Sequence, residues 1–192
     1  MKKNSLHTYA LLTIAFLLQG CAAAVLTGGA AGVAIATDKR TTGTVIEDQS
    51  IELKALRALS ENKELSEKAH LNVTSYNTSV LVTGEAPTEA LRQQAIDIVK
   101  NIEKVTNVHD EISIAAPSSL MSRSSDSLIT SKVKARLLAD KNVESLGIKV
   151  VTDKGFVYLM GIISREEGRI ATEITRETAG VQKVVLLFEY TD

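Results

Sequence analysis

An internal repeat constrains the fold of this chain more than any other feature of its sequence. Hydrophobic, charged and glycine positions from about residue 47 to residue 114 recur in the same order from about residue 126 to residue 192. The offset between the copies falls from 78 to 77 to 76 positions, which two single-residue losses in loops explain. The matched pairs include Ile51–Ile129, Lys54–Lys132, Leu59–Leu137, Val73–Val150, Gly84–Gly161, Ala95–Ala171 and Val108–Val184. Such ordered spacing indicates a duplicated domain, and each copy is near the lower size limit of a domain that folds alone.

Each copy has the pattern of a helix, two strands, a second helix and a last strand. In the second copy, an apolar stripe at four-residue spacing predicts a helix over residues 127–139, with Ile129, Val133 and Leu137 facing the core. The Asp153-Lys154-Gly155 segment is typical of a turn between two strands. The first copy predicts the same αββαβ order, beginning with a helix around residues 51–59.

The chain therefore predicts an α+β protein with two small domains in tandem. Serine-rich composition between the two copies is typical of a linker. The expected limits are a signal peptide at 1–20, a flexible leader at 21–46, a first domain at 47–115, a linker at 116–125 and a second domain at 126–192.

The first residues indicate where such a protein resides. Lys2 and Lys3 precede an apolar run that is too short to span a bilayer, which is the layout of a signal peptide. Leu18-Gln19-Gly20-Cys21 then resembles the bacterial lipobox, which implies cleavage before Cys21 and an N-acyl diglyceride on Cys21 as the only covalent group. Taken alone, the residues also fit a secreted protein with a free cysteine, or an N-terminal membrane anchor. With Ala22 after the cysteine, the resemblance implies the outer membrane.

Composition argues against nucleic-acid binding and catalysis. Removing Lys2 and Lys3 leaves 20 basic side chains against 23 acidic ones, a formal net charge of −3 and no basic footprint. His70 and His109 are expected at strand ends or on the surface, and no catalytic or metal-binding motif is present in the sequence. We therefore expect no cofactor, no metal and no enzyme activity.

The first helix of the second copy is the candidate binding element. Leu128, Lys132, Ala135 and Arg136 share a face that is separate from the predicted core stripe. A large apolar residue beside basic residues suits insertion among anionic headgroups. From the residues alone, a solvated helix face with an incidental leucine is the favoured interpretation.

Motifs in both copies resemble the BON domain. Each copy ends a strand with glycine, in Val80-Leu81-Val82-Thr83-Gly84 and in Val157-Tyr158-Leu159-Met160-Gly161. The second copy adds Gly180-Val181-Gln182-Lys183-Val184, whereas the first has Lys104 at the position of that glycine. With the lipobox, this arrangement resembles outer-membrane lipoproteins with two BON domains.

The resemblance implies a non-enzymatic lipoprotein that faces the periplasm, supports outer-membrane integrity and is enriched at division sites. It further implies that the first helix of the second domain binds anionic phospholipid, chiefly phosphatidylglycerol. The lipid-contact residues expected there are Leu128, Ile129, Lys132, Val133, Ala135 and Arg136. The alternative is a membrane-tethered adaptor whose BON domains bind an envelope protein or polymer.

Overall fold

The computed structural model describes residues 38–192, which form two αββαβ units. The helices are α1 Thr42–Glu61, α2 Lys63–Lys68, α3 Glu89–Lys100, α4 Leu120–Ala139 and α5 Arg165–Arg176. The strands are β1 His70–Tyr76, β2 Ser79–Ala86, β3 Asn107–Ile114, β4 Lys149–Asp153, β5 Phe156–Ile163 and β6 Lys183–Tyr190. The predicted fold class and element order are confirmed, and α2 is a short addition that the sequence pattern did not predict.

Each unit is a three-stranded sheet with its helices packed on one face. The sheets have the order β1-β2-β3 and β4-β5-β6, in which the central strand pairs antiparallel with the strand before it and parallel with the strand after it. Ile51, Val80 and Val99 are fully buried in the first core, and Val133, Val157 and Ala171 in the second. Each fully buried valine or isoleucine contributes about 1.5–3 kcal/mol. Two separate cores therefore hold the duplicated units.

Both first helices begin earlier than their sequence patterns indicate. Helix α1 starts at Thr42, inside the predicted leader, where the Thr41 hydroxyl accepts a hydrogen bond from Thr44 N at 3.1 Å. Helix α4 starts at Leu120, inside the predicted linker, where Ser119 caps the helix in the same way. Serine is neutral in helix interiors and favourable at caps, so its abundance at 116–125 misled the prediction of a linker.

The two units pack against each other through the sheet faces that carry no helix. Tyr76 and Leu81 of the first unit form one buried cluster with Tyr158 and Met160 of the second. The Tyr76 hydroxyl donates a hydrogen bond to the carbonyl of Gly147 at 2.8 Å. Residues 38–192 thus contain two complete cores and the contacts that join them, so this part of the chain is expected to fold by itself.

The segment just before α1 contacts both units. The Arg40 guanidinium pairs with Asp38 at 2.6 Å and Asp48 at 2.8 Å, and it lies 3.9 Å from the Tyr76 ring centroid. Burial, together with the charge of Asp38, raises the pKa of the Tyr76 hydroxyl to about 12. Lys39 reaches Glu167 of the second unit at 3.5 Å. The last residues of the predicted flexible leader are therefore ordered.

Candidate functional site

Helix α4 carries two apolar stripes on different faces. At 3.6 residues per turn, Ile129, Val133 and Leu137 point into the second core and are 6%, 0% and 1% exposed. Leu128 falls about 100° from Ile129 on the helix and is 63% exposed. Lys132 lies one turn beyond Leu128 and is also exposed. One face of the helix thus packs into the second core, and the other face is open to solvent.

The six predicted lipid-contact residues divide between these faces. Leu128, Lys132, Ala135 and Arg136 are exposed, whereas Ile129 and Val133 are core residues. The Arg136 guanidinium lies 3.1 Å from a carboxylate oxygen of Glu177, so part of its charge is already neutralised. Among the described residues, Lys132 has no such carboxylate partner.

An open cleft of about 430 Å³ lies beside Leu128. Its walls are α4, the turn between β4 and β5, and the loop before β6. The residues that line it include Leu128, Ile129, Lys132, Lys154, Gly155 and Gly180. The exposed leucine and the unpaired lysine therefore stand at the edge of a concave surface.

Asp126 fixes the turn wall of this cleft. Its side chain is only 8% exposed and accepts hydrogen bonds from Lys154 N at 3.0 Å and Gly155 N at 2.8 Å. Both turn residues have positive φ, 50° and 76°, so these two N–H groups point at one carboxylate. Asp126 was not among the site residues predicted from the sequence. Its recurrence 78 positions after Asp48 was the available signal.

The first domain repeats the turn contact but bridges the corresponding cleft. Asp48 accepts hydrogen bonds from the backbone of Asn77 and Thr78, each at 2.8 Å. Glu47 and Lys104 occupy the positions that correspond to Ser125 and Gly180 of the cleft, and they form an ion pair at 3.0 Å. The second domain keeps open a surface that the first domain closes with charged side chains.

Two further exposed apolar residues extend the outer stripe of α4. Leu120 is 79% exposed and Met121 is 83% exposed, and Met121 lies two turns before Leu128 on the same face. Sequence reasoning missed both because it assigned them to the linker. Continuing the helical period backwards from Leu128 would have found Met121.

The first helices of the two domains differ in charge. Helix α4 contains four basic residues and a single carboxylate, and that carboxylate belongs to the buried Asp126. Helix α1 contains two basic residues and four acidic ones. The surface of α4 therefore attracts anions, whereas that of α1 repels them.

The described residues hold no cluster of three side chains that could bind a metal ion. His109 lies in β3, 3.1 Å from the Ser79 hydroxyl, and burial lowers its pKa. His70 begins β1 and lies 3.4 Å from Glu85.

No helix within residues 38–192 is long and apolar enough to cross a bilayer. The predicted lipidation site Cys21 falls outside the described residues.

Comparison with known proteins agrees with this architecture. The chain is 35% identical to the outer membrane lipoprotein DolP of Haemophilus influenzae, over 95% of this chain and 94% of that protein. It is 35% identical to a 21 kDa hemolysin of Actinobacillus pleuropneumoniae (80% of this chain, 79% of that protein) and 29% identical to osmotically-inducible protein Y of Escherichia coli (82% and 80%). The BON domain profile matches residues 47–116 and 125–192. The chain therefore belongs to the BON-domain family, with two copies of the domain.

Proposed function

We propose that this protein is a non-enzymatic outer-membrane lipoprotein that binds anionic phospholipid, such as phosphatidylglycerol, through helix α4. Cys21 carries the lipid anchor, and both BON domains face the periplasm, where the protein supports outer-membrane integrity. The single observation that carries the proposal is the outer face of α4. It combines exposed apolar residues with lysine and has no exposed carboxylate.

The outer stripe supplies the apolar contact. Leu120, Met121 and Leu128 lie along the first three turns of α4 and are each more than 60% exposed. Soluble proteins rarely leave such side chains together in water without a partner, and a helix that lies in the interface buries them at the boundary of the acyl chains.

Lys132 and Lys134 supply the attraction to an anionic surface. Each lysine near such a surface contributes about 1 kcal/mol, so two lysines alone give weak binding. A lipid anchor on Cys21 would confine the domains close to the bilayer and raise the effective concentration at α4. Weak recognition by the helix is then sufficient, and the helix rather than the anchor determines which lipid is preferred.

The similarity to an outer membrane lipoprotein over 95% of the chain supports the proposed anchor and location. The proposal includes enrichment at division sites, which the resemblance to outer-membrane lipoproteins with two BON domains implies. A fluorescent fusion imaged in dividing cells tests it, and uniform envelope fluorescence would contradict it.

Co-sedimentation with vesicles tests the lipid claim. Residues 38–192 should pellet with phosphatidylglycerol vesicles and remain in solution with phosphatidylcholine vesicles. Leu128→Glu should abolish pelleting, because it places a carboxylate in the apolar stripe. The matched control is Leu53→Glu in α1, where the replaced leucine is 69% exposed; it should pellet like the wild type. Equal binding to both vesicle types would refute the proposal.

A second candidate is a tethered adaptor for an envelope protein, favoured by an exposed apolar stripe on α1. Ile46 is 65% exposed and Leu53 is 69% exposed, and the acidic character of α1 does not suit an anionic bilayer. Crosslinking in intact cells distinguishes the two. An adaptor yields one stoichiometric protein partner that is lost in Leu53→Glu and retained in Leu128→Glu.

A further inference from the structure

The open cleft beside Leu128, here called the lipid cleft, is lined by a second lysine, Lys154, whose ammonium is paired with a residue of the other domain. Lys154 is one of the residues that line the cleft, and its backbone N–H donates a hydrogen bond to Asp126. Its ammonium crosses the domain boundary and lies 3.0 Å from a carboxylate oxygen of Glu85 in the first domain. Lys154 is therefore part of the cleft of the second domain, whereas its charge is paired with the first domain.

Glu85 pairs with the Lys154 ammonium through a buried carboxylate. Its side chain is fully buried in β2, and neither carboxylate oxygen has a well-directed hydrogen bond, so the contact with Lys154 is an ion pair. Burial favours the neutral acid, but Lys154 and the backbone of Ser118 outweigh it and hold the pKa of Glu85 below its usual value. A buried carboxylate without a counter-ion is costly, so Lys154 is retained at this position.

Two other titratable side chains, His70 and Asp153, lie near this ion pair. His70 lies 3.4 Å from the other oxygen of Glu85. Burial, reinforced by the charge of Glu85, raises the pKa of Asp153. By the repeat, Lys154 corresponds to Asn77 of the first domain, and Glu85 corresponds to Ile162 of the second domain. Neither of these residues carries a charge. The pair is thus specific to the boundary beside the lipid cleft.

We propose that Lys154 is a reserve cation of the lipid-binding site, that is, a cation that does not contact lipid while it is paired with Glu85. By pairing with Lys154, Glu85 of the first domain lowers the affinity of the second domain for anionic lipid. The inference rests on the proposed lipid-binding function. Lys154 and Lys132 line the same cleft and the lysine side chain is flexible, so release from Glu85 would allow the ammonium to turn toward that cleft. One additional cation there strengthens binding to an anionic membrane about fivefold.

Vesicle binding with a double-mutant cycle tests this proposal. Residues 38–192 are titrated with phosphatidylglycerol–phosphatidylcholine vesicles at low ionic strength, as wild type, Glu85→Gln, Lys154→Gln and the double variant. Glu85→Gln should bind about fivefold more tightly than the wild type. The double variant should return to the wild-type affinity, because it has no cation to release. Unchanged or weaker binding of Glu85→Gln would overturn the proposal, as would a double variant that keeps the gain.

A measurement on the wild type keeps the test decisive if a variant fails to fold. Amine acylation followed by mass spectrometry should show that phosphatidylglycerol vesicles protect Lys132 and leave the reactivity of Lys154 unchanged. Protection of Lys154 in the wild type would mean that it already contacts lipid, which contradicts a reserve role. If the wild type does not bind the vesicles at all, the proposed function fails; if it binds but Glu85→Gln matches it, only this inference fails.

Discussion

Substituting alanine for Gly180 should strongly destabilise the second domain. Gly180 has φ of +101°, and a Cβ built there would lie 2.9 Å from Cγ1 of the core residue Ile129. A side chain in left-handed backbone costs about 1–2 kcal/mol, and overpacking a core costs about 1–3 kcal/mol. We therefore expect Gly180→Ala to lower the free energy of unfolding by about 2–5 kcal/mol. Urea unfolding of residues 38–192, followed by circular dichroism, should show the midpoint of that transition reduced by about 1–2 M.

The first domain provides the matched control. Lys104 occupies the corresponding position with φ of +70°, so this domain already accommodates a Cβ there. Lys104→Ala removes only an exposed ion pair with Glu47 and should move the midpoint little. If Gly180→Ala were as mild as Lys104→Ala, the account of why the second copy requires glycine would be refuted.

Three further predictions concern charge. Lys132→Ala should weaken binding to phosphatidylglycerol vesicles about fivefold and reduce its salt dependence, whereas Arg136→Ala should have a smaller effect because Arg136 is paired with Glu177. Asp126→Asn should lower the free energy of unfolding by about 1.5–3 kcal/mol, measured by urea titration, because an amide replaces the charged acceptor of two turn N–H groups. The pKa of Glu85 is lower in the folded protein than its ordinary value of 4.5, so its contribution to stability is complete above about pH 4.5 and is lost as the pH falls below it. The melting temperature of the wild type should therefore approach that of Glu85→Gln between pH 5 and pH 3, and a constant difference would contradict the assignment.

The duplicated pattern was sufficient to predict the fold, because the same buried positions serve both cores. Ile129, Val133 and Leu137 point inward as their spacing predicts, and the same spacing exposes Leu128. The start of α4 at Leu120 was missed because serine composition does not distinguish a linker from a capped helix.

The features that position the site depend on contacts between residues distant in sequence. Asp126 holds a turn 28 residues later, and Lys154 pairs with Glu85 in the other domain. A single sequence contains the residue types but not these distances. The packing of the two sheets through Tyr76 and Tyr158 is equally non-local, and neither aromatic residue differs from a core residue in the sequence pattern.

Fluorescence of a single tryptophan placed at residue 128 tests the central claim most directly. The chain has no tryptophan of its own, so Leu128→Trp creates one reporter on the outer face of α4. With phosphatidylglycerol vesicles its emission should shift to shorter wavelength and become shielded from a water-soluble quencher, because the ring enters the interface. With phosphatidylcholine vesicles it should not change, and Leu53→Trp in α1 should not respond to either. An emission at residue 128 that stays that of a water-exposed indole on phosphatidylglycerol vesicles would contradict lipid binding by this helix.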